Sequence, residues 1–132
     1  MNKYLAPAFP KVYKPQGQCT HLYYYLSMLD LEMAPQELKG ILADKGQLIL
    51  LDVREPWEYA RDHIPAATLT PLAQIIARPQ EAITADNVVF VCEVGQRSAV
   101  AAELAAAAGK QHVFNLEGGM QAWRNAGLPV ES

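Results

Sequence analysis

Cysteine is scarce in this chain: of 132 residues, only Cys19 and Cys92 carry a thiol. Two cysteines so far apart cannot build the dense disulfide framework of a small secreted domain. No Cys or His spacing matches a metal-ligand pattern either, so no metal is expected. Basic runs are lacking too. The 11 Lys and Arg residues are scattered among 14 Asp and Glu, which leaves a nucleic-acid backbone no electrostatic footprint to bind. No apolar stretch approaches the roughly 20 residues of a membrane span. The opening Met1-Asn2-Lys3-Tyr4-Leu5-Ala6-Pro7 has no apolar run of signal-peptide length. The expectation is a protein of the reducing cytoplasm with neither a membrane nor a nucleic-acid partner.

What is present is a composition, 51% apolar and 19% charged, able to bury a core over the length of one domain. Residues 1–30 read as an N-terminal extension, because Pro7, Pro10 and Pro15 break regular structure early. Its cluster Leu22-Tyr23-Tyr24-Tyr25-Leu26-Ser27-Met28-Leu29 is too apolar for a free tail. It is expected to pack on the domain or on a second subunit, which makes the extension the expected route to self-association. Cys19 and His21 lie beside it without a pattern that would make them a resolving thiol or a metal ligand.

From residue 31 onward strands and helices alternate. Leu31-Glu32-Met33 is a short strand, and Pro35 takes the first position of a helix whose Leu38, Ile41 and Leu42 share a face, with Gly46 as its stop. Leu48 to Val53 is an apolar run with Asp52 near its end, and a short helix beginning near Pro56 is stopped by His63-Ile64-Pro65. Thr68-Leu69 is a brief strand. A helix from Pro71 should stop before Pro79, and Asp86-Asn87 turns into the strand Val88-Val89-Phe90-Val91. After an alanine-rich helix with Gly109 at its end, His112 to Leu116 is a further strand. The turn Glu117-Gly118-Gly119 then leads into an amphipathic helix closed by Gly127 and Pro129. This alternation predicts an α/β fold: an open, mainly parallel sheet with helices on both faces and a ligand site beyond the carboxyl ends of the strands. Asp52, Cys92 and the Gly118-Gly119 turn all fall at that edge.

The chemistry concentrates in Cys92-Glu93-Val94-Gly95-Gln96-Arg97-Ser98. A cysteine at a strand end is, by itself, a small buried apolar side chain. Here Gly95 lets the backbone bend back toward it, and a helix opening at Arg97-Ser98 points unpaired N–H groups at the sulfur. Such a cradle favours the thiolate and makes Cys92 a nucleophile at neutral pH.

Four segments, in order, resemble the rhodanese family of single-domain sulfurtransferases: Asp52-Val53-Arg54-Glu55, His63-Ile64-Pro65-Ala66-Ala67, the Cys92 to Ser98 loop, and Glu117-Gly118-Gly119-Met120 with Trp123, Gly127 and Pro129. The resemblance covers residues 31–132, the expected rhodanese-like domain. It implies that Cys92 is the catalytic residue and accepts a sulfane sulfur as a persulfide. It further implies that the backbone N–H groups of Glu93, Val94, Gly95, Gln96 and Arg97 hold that sulfur, and that no cofactor is needed. The implied donor is thiosulfate or a persulfide, and the implied acceptor is a thiol, cyanide or a protein. Asp52 and Arg54 would tie the loop to its flanking strands, and His63 would serve as a structural hydrogen-bonding group.

Two departures from the family pattern carry expectations. Ala66 stands where Gly is usual, so that turn should do without positive φ. Glu93 follows the nucleophile, and as a bare carboxylate at the rim it should repel an anionic donor. Two other readings stay open. One is a sulfur-relay or protein-interaction module of the same fold with little thiosulfate activity. The other is a phosphatase or arsenate reductase, whose Cys-to-Arg loop is longer by one residue and suits a tetrahedral oxyanion.

Overall fold

Each of the five strands expected after residue 30 is present, and they pair in parallel. A computed structural model describes residues 31–44 and 47–132. The N-terminal extension with its tyrosine cluster, Cys19 and His21, and the helix stop expected at Gly46, lie outside these residues. The strands are β1 (Glu32–Met33), β2 (Ile49–Asp52), β3 (Thr68–Leu69), β4 (Val88–Val91) and β5 (Val113–Leu116), in the sheet order β1-β5-β4-β2-β3. Every pairing is parallel. The helices are α1 (Pro35–Ala43), α2 (Pro56–Arg61), α3 (Leu72–Ala77), α4 (Pro79–Ala82), α5 (Gln96–Ala107) and α6 (Gly119–Asn125).

Strand order assigns the helices to faces. The chain moves one way across the sheet from β1 to β2 and β2 to β3, then back from β3 to β4 and β4 to β5. Right-handed crossovers therefore put α1 and α2 on one face and α3, α4 and α5 on the other. The reversal leaves β4 central, and all four of its residues are buried. Packing of α5 on β4 and β5 is close because its buried stripe, Ser98, Ala101, Ala102 and Ala105, carries only small side chains at helical spacing. Gly109, at φ 99°, ends the helix: its N–H donates to Ala106 O and the next N–H, of Lys110, to Ala105 O.

Two local features differ from expectation. Pro79 does stop α3, but it also opens the single turn α4, where its missing N–H costs nothing. Ala66 does adopt positive φ, at 79°. Its turn is closed by the Ala67 N–H donating to Ile64 O at 3.0 Å, with Pro65 at the second position and Ala66 at the third. That is a type II turn, whose third residue needs positive φ whatever its side chain. Among the described residues no helix is long and apolar enough to cross a membrane.

Candidate active site

β4 delivers Cys92 to the carboxyl edge of the sheet, where it has no exposed surface. Gly95, at φ 100°, caps α5, which starts at Gln96, one residue earlier than the sequence suggests. The bend brings the Gly95 N–H to 3.1 Å from Cys92 Sγ, the Ser98 N–H to 3.3 Å and the Ser98 hydroxyl to 3.2 Å. Three donors converging at the first turn of a helix suit an anionic sulfur. The N–H groups from Glu93 to Arg97 are expected on the transferred sulfur; the cysteine's own Sγ takes its hydrogen bonds from Gly95 and from Ser98, a residue outside the expected set. Its signal was present: it is the one polar member of the buried small-residue stripe on α5.

Behind Ser98 lies Asn115, a polar residue in the fully buried strand β5. Its Nδ2 donates to Glu32 Oε2 at 2.8 Å and to Gly95 O at 3.1 Å, which turns Oδ1 toward the Ser98 hydroxyl. Ser98 has one hydroxyl proton and two acceptors. With Cys92 as a thiol, S–H can donate to Ser98 Oγ while Ser98 donates to Asn115; with a thiolate, the hydroxyl proton turns to the sulfur.

The backbone of the loop rests on α6. The Met120 N–H donates to Cys92 O at 2.8 Å and the Gln121 N–H to Glu93 O at 3.0 Å. Gly119 allows this approach, since a Cβ there would collide with the carbonyl oxygens of Cys92 and Glu93.

Side chains then lock the loop to α2 and α6. Arg97 donates from Nη1 and Nη2 to the two carboxylate oxygens of Glu58 at 2.8 and 2.9 Å. Those bonds, with the Glu55 N–H, lower Glu58 to about 2 against the opposing effect of burial. Arg54, wholly buried, is bidentate to Asp52 and donates to Asp62 O at 2.7 Å. Arg124 grips Asp62 with Nε and Nη2 at 2.7 and 2.9 Å, and Glu93 with Nη1 and Nη2 at 2.7 and 3.2 Å. Arg54 and Arg61 each stand 3.5 Å from Glu93 Oε1. The Arg124 bonds hold both Glu93 and Asp62 below the usual carboxylate range.

Glu93 is therefore not the bare rim charge expected from sequence. Three guanidinium groups surround it, and its field at a distance is largely cancelled. Val94 and Gln96 stand exposed on the crest of the loop. His63 lies apart from the sulfur's hydrogen bonds: its Nδ1 meets Tyr59 O at 2.7 Å, its ring stacks on Tyr59, and its backbone pairs with Glu131. Glu58, Arg61, Asp62 and Arg124 were invisible as site residues, because the partners that join them into one network lie 31 to 62 positions away.

A buried cysteine in an amide cradle, at the carboxyl edge of a five-stranded parallel sheet, defines a class of α/β proteins with one enclosed thiol at the ligand edge. The chain belongs to the rhodanese family: the profile of the Rhodanese-like domain matches residues 34–126. A sulfurtransferase of Allochromatium vinosum is 36% identical over 99 residues, covering 75% of this chain and 92% of that protein. YrkF of Bacillus subtilis, whose name proposes a sulfur carrier, is 33% identical over 92 residues, covering 70% of this chain and 50% of its own length. The crystal structure of a rhodanese-like domain protein from Staphylococcus aureus superposes with a TM-score of 0.64 at 33% identity, covering 76% of this chain and 98% of that one. The chain thus spans about half the length of YrkF and 56% of a Synechocystis relative. The relatives that share its rhodanese-like domain carry the names of a sulfurtransferase and a sulfur carrier.

Proposed function

We propose that the protein moves sulfane sulfur through a persulfide on Cys92. The observation that carries this reading is the convergence of the Gly95 N–H, the Ser98 N–H and the Ser98 hydroxyl on one sulfur. The Cys92 thiolate attacks the outer sulfur of a donor. With thiosulfate, the S–S bond of the donor breaks, sulfite leaves with the bonding pair, and Cys92 carries the new S–S bond as an anionic persulfide. With an alkyl persulfide, the alkyl thiolate leaves instead. An acceptor thiolate or cyanide then attacks the outer sulfur and returns Cys92 as a thiolate. The two backbone donors are fixed by the loop and the Ser98 hydroxyl turns its proton to Sγ, so the thiolate is stabilised before the attack and again when the acceptor returns it.

The loop length supports sulfur over phosphoryl transfer, since four residues separate Cys92 from Arg97 and the ring they form is small. A protein acceptor is the same chemistry with a larger partner. Exposed Val94 on the loop, and exposed Trp57 linked to it through Arg61, offer such a partner apolar surface at the site. We place this activity in the cytoplasm, where low-molecular-weight persulfides and thiols are available to both half-reactions.

Intact mass after incubation with thiosulfate, and separately with cysteamine persulfide, tests the reading. The expected result is the gain of one sulfur atom, its loss on adding cyanide, and no gain in Cys92→Ser. No adduct from either donor would overturn it.

A further inference from the structure

One hydroxyl proton stands between two acceptors. Ser98 Oγ lies 3.2 Å from Cys92 Sγ and is hydrogen-bonded on its other side to Asn115 Oδ1. Cys92 and Ser98 have no exposed surface and Asn115 is 4% exposed, so solvent offers neither acceptor a substitute donor. The register of the sheet puts Asn115 there: it sits in β5 between Glu32 of β1 and Phe90 of β4.

The far side of Asn115 fixes which atom it turns to Ser98. Its Nδ2 donates one hydrogen to Glu32 Oε2 at 2.8 Å and the other to Gly95 O at 3.1 Å. The flipped amide would set its oxygen against a carboxylate and a carbonyl, neither of which has a hydrogen to give. Asn115 therefore meets Ser98 with an acceptor. Each state of the sulfur then pairs these groups differently. In the thiol, S–H donates to Ser98 Oγ, Ser98 donates to Asn115, and every group is paired. In the thiolate, whose proton has left to solvent, the hydroxyl turns to the sulfur and Asn115 Oδ1 loses its donor. In a persulfide the charge sits on the outer sulfur, Sγ is a weak acceptor, and the hydroxyl returns to Asn115.

We propose that Asn115 is a positioning residue that acts through Ser98: by competing for its hydroxyl, it disfavours the bare thiolate against both the thiol and the persulfide and biases Cys92 toward holding the sulfur. The persulfide half rests on the sulfurtransferase reading; the thiolate half does not.

The test is the pH profile of Cys92 alkylation by iodoacetamide, read by peptide mass, in a double-mutant cycle of Asn115→Leu and Ser98→Ala. Asn115→Leu should move the midpoint down by roughly half to one pH unit, the worth of one buried hydrogen bond between neutral groups. Ser98→Ala removes a donor to the thiolate and should move it up. With Ser98→Ala present, Asn115→Leu should add no shift, because the hydroxyl through which Asn115 acts is gone. Arg97, whose charge acts on Cys92, and its partner Glu58 are the same in all four proteins. A loosened loop would move the midpoint alike in both backgrounds. That result, or an unmoved or raised midpoint in Asn115→Leu, would overturn the proposal. The unaltered protein supplies a check that needs no folded Asn115 variant: the NMR shift of the Asn115 side-chain carbonyl carbon should follow the Cys92 titration, and should cease to do so in Ser98→Ala. A carbonyl shift indifferent to that titration would equally overturn it. Equilibration with cysteamine persulfide and cysteamine tests the second half. Above the midpoint, Asn115→Leu should carry about three- to tenfold less persulfide relative to thiolate on Cys92 than the unaltered protein. Equal loading with a shifted midpoint would overturn the persulfide half alone, whereas no loading of the unaltered protein is failure of the sulfurtransferase reading and leaves the alkylation result standing.

Discussion

Two single residues, Ala66 and Gly119, hold positive φ with opposite consequences. Ala66 holds a φ of 79° in a turn that favours glycine, and it is exposed, so its methyl gains nothing in packing to offset the strain. Left-handed backbone costs a non-glycine residue about 1–2 kcal/mol, against which glycine loses about 0.4–1 kcal/mol of unfolded-state entropy. Ala66→Gly should therefore raise stability by roughly 0.5–1 kcal/mol, read as a higher urea midpoint at constant m-value. A lower midpoint would show that the turn is not type II in solution. Gly119 is the opposite case. It sits at φ 60°, and a Cβ would come within 2.6 Å of Glu93 O. Gly119→Ala should force α6 away from the loop, break the Met120 and Gln121 bonds to it, and cost on the order of 3 kcal/mol. Sulfur loading of Cys92 should fall with it, since the sulfur's cradle hangs from those carbonyls. A variant with normal loading would mean the loop is held from elsewhere.

Between elements, the Arg97 to Glu58 pair joins the start of α5 to α2 and makes the protein sensitive to acid. Glu58 falls from an ordinary value of 4.5 to about 2 because Arg97 donates to both of its oxygens. A carboxylate with a depressed folded value contributes stability that is complete above 4.5 and is lost as pH falls toward 2. The pair is partly wet, with the Arg97 side chain 37% exposed, so the contribution is on the order of 2 kcal/mol. Urea denaturation between pH 7 and pH 2.5 should show this loss, and Glu58→Gln should be less stable at pH 7 but decline less over the acid range. Equal slopes for the two proteins would mean that Glu58 is not ionised through this contact.

The same pair marks where sequence reading runs out. Strands and helices were legible because each announces itself locally: a β-branched run in Val88 to Val91, proline at the first turn of α1 and α2, glycine after α5. The Cys92 loop was legible for the same reason, as a strand, a glycine bend and a helix start within a few residues. What was not legible is the set of long-range contacts. Nothing near Arg97 says that Glu58 is its partner, and nothing near Glu93 says that Arg124 will neutralise it. Reading Glu93 as a rim carboxylate counted its own charge and not the three arginines that surround it in the fold. The Ala66 expectation failed because its turn geometry won over the side chain's own preference.

Across the described residues, the candidate site and the Asp86 clamp sit at opposite ends of the sheet. The carboxyl ends of β2, β4 and β5 hold Asp52, Cys92 and the Gly118-Gly119 turn, whereas Asp86 lies before β4 at the amino ends. Its Oδ1 accepts from the Asn87 N–H at 3.0 Å and the His112 N–H at 2.7 Å, and its Oδ2 from the Gln111 N–H at 3.2 Å. Burial alone would raise its pKa, but these three donors, with the nearby His112 ring, outweigh burial and hold it below the usual carboxylate range. One carboxylate thus pins the starts of β4 and β5, the two strands that carry Cys92 and Asn115. Asp86→Ala leaves three N–H groups without that acceptor. It should cost about 2–3 kcal/mol, or on the order of 10 °C in Tm for a domain of this size. The sulfur cradle is built from bonds at the far end of β4, and below the melting range those bonds are intact in every folded molecule. The rate of Cys92 persulfide formation per folded protein should then match the unaltered protein at a temperature well under either Tm. A rate that fell several-fold there, with the chain still folded by near-UV circular dichroism, would mean that clamping the strand starts also sets the geometry at their ends.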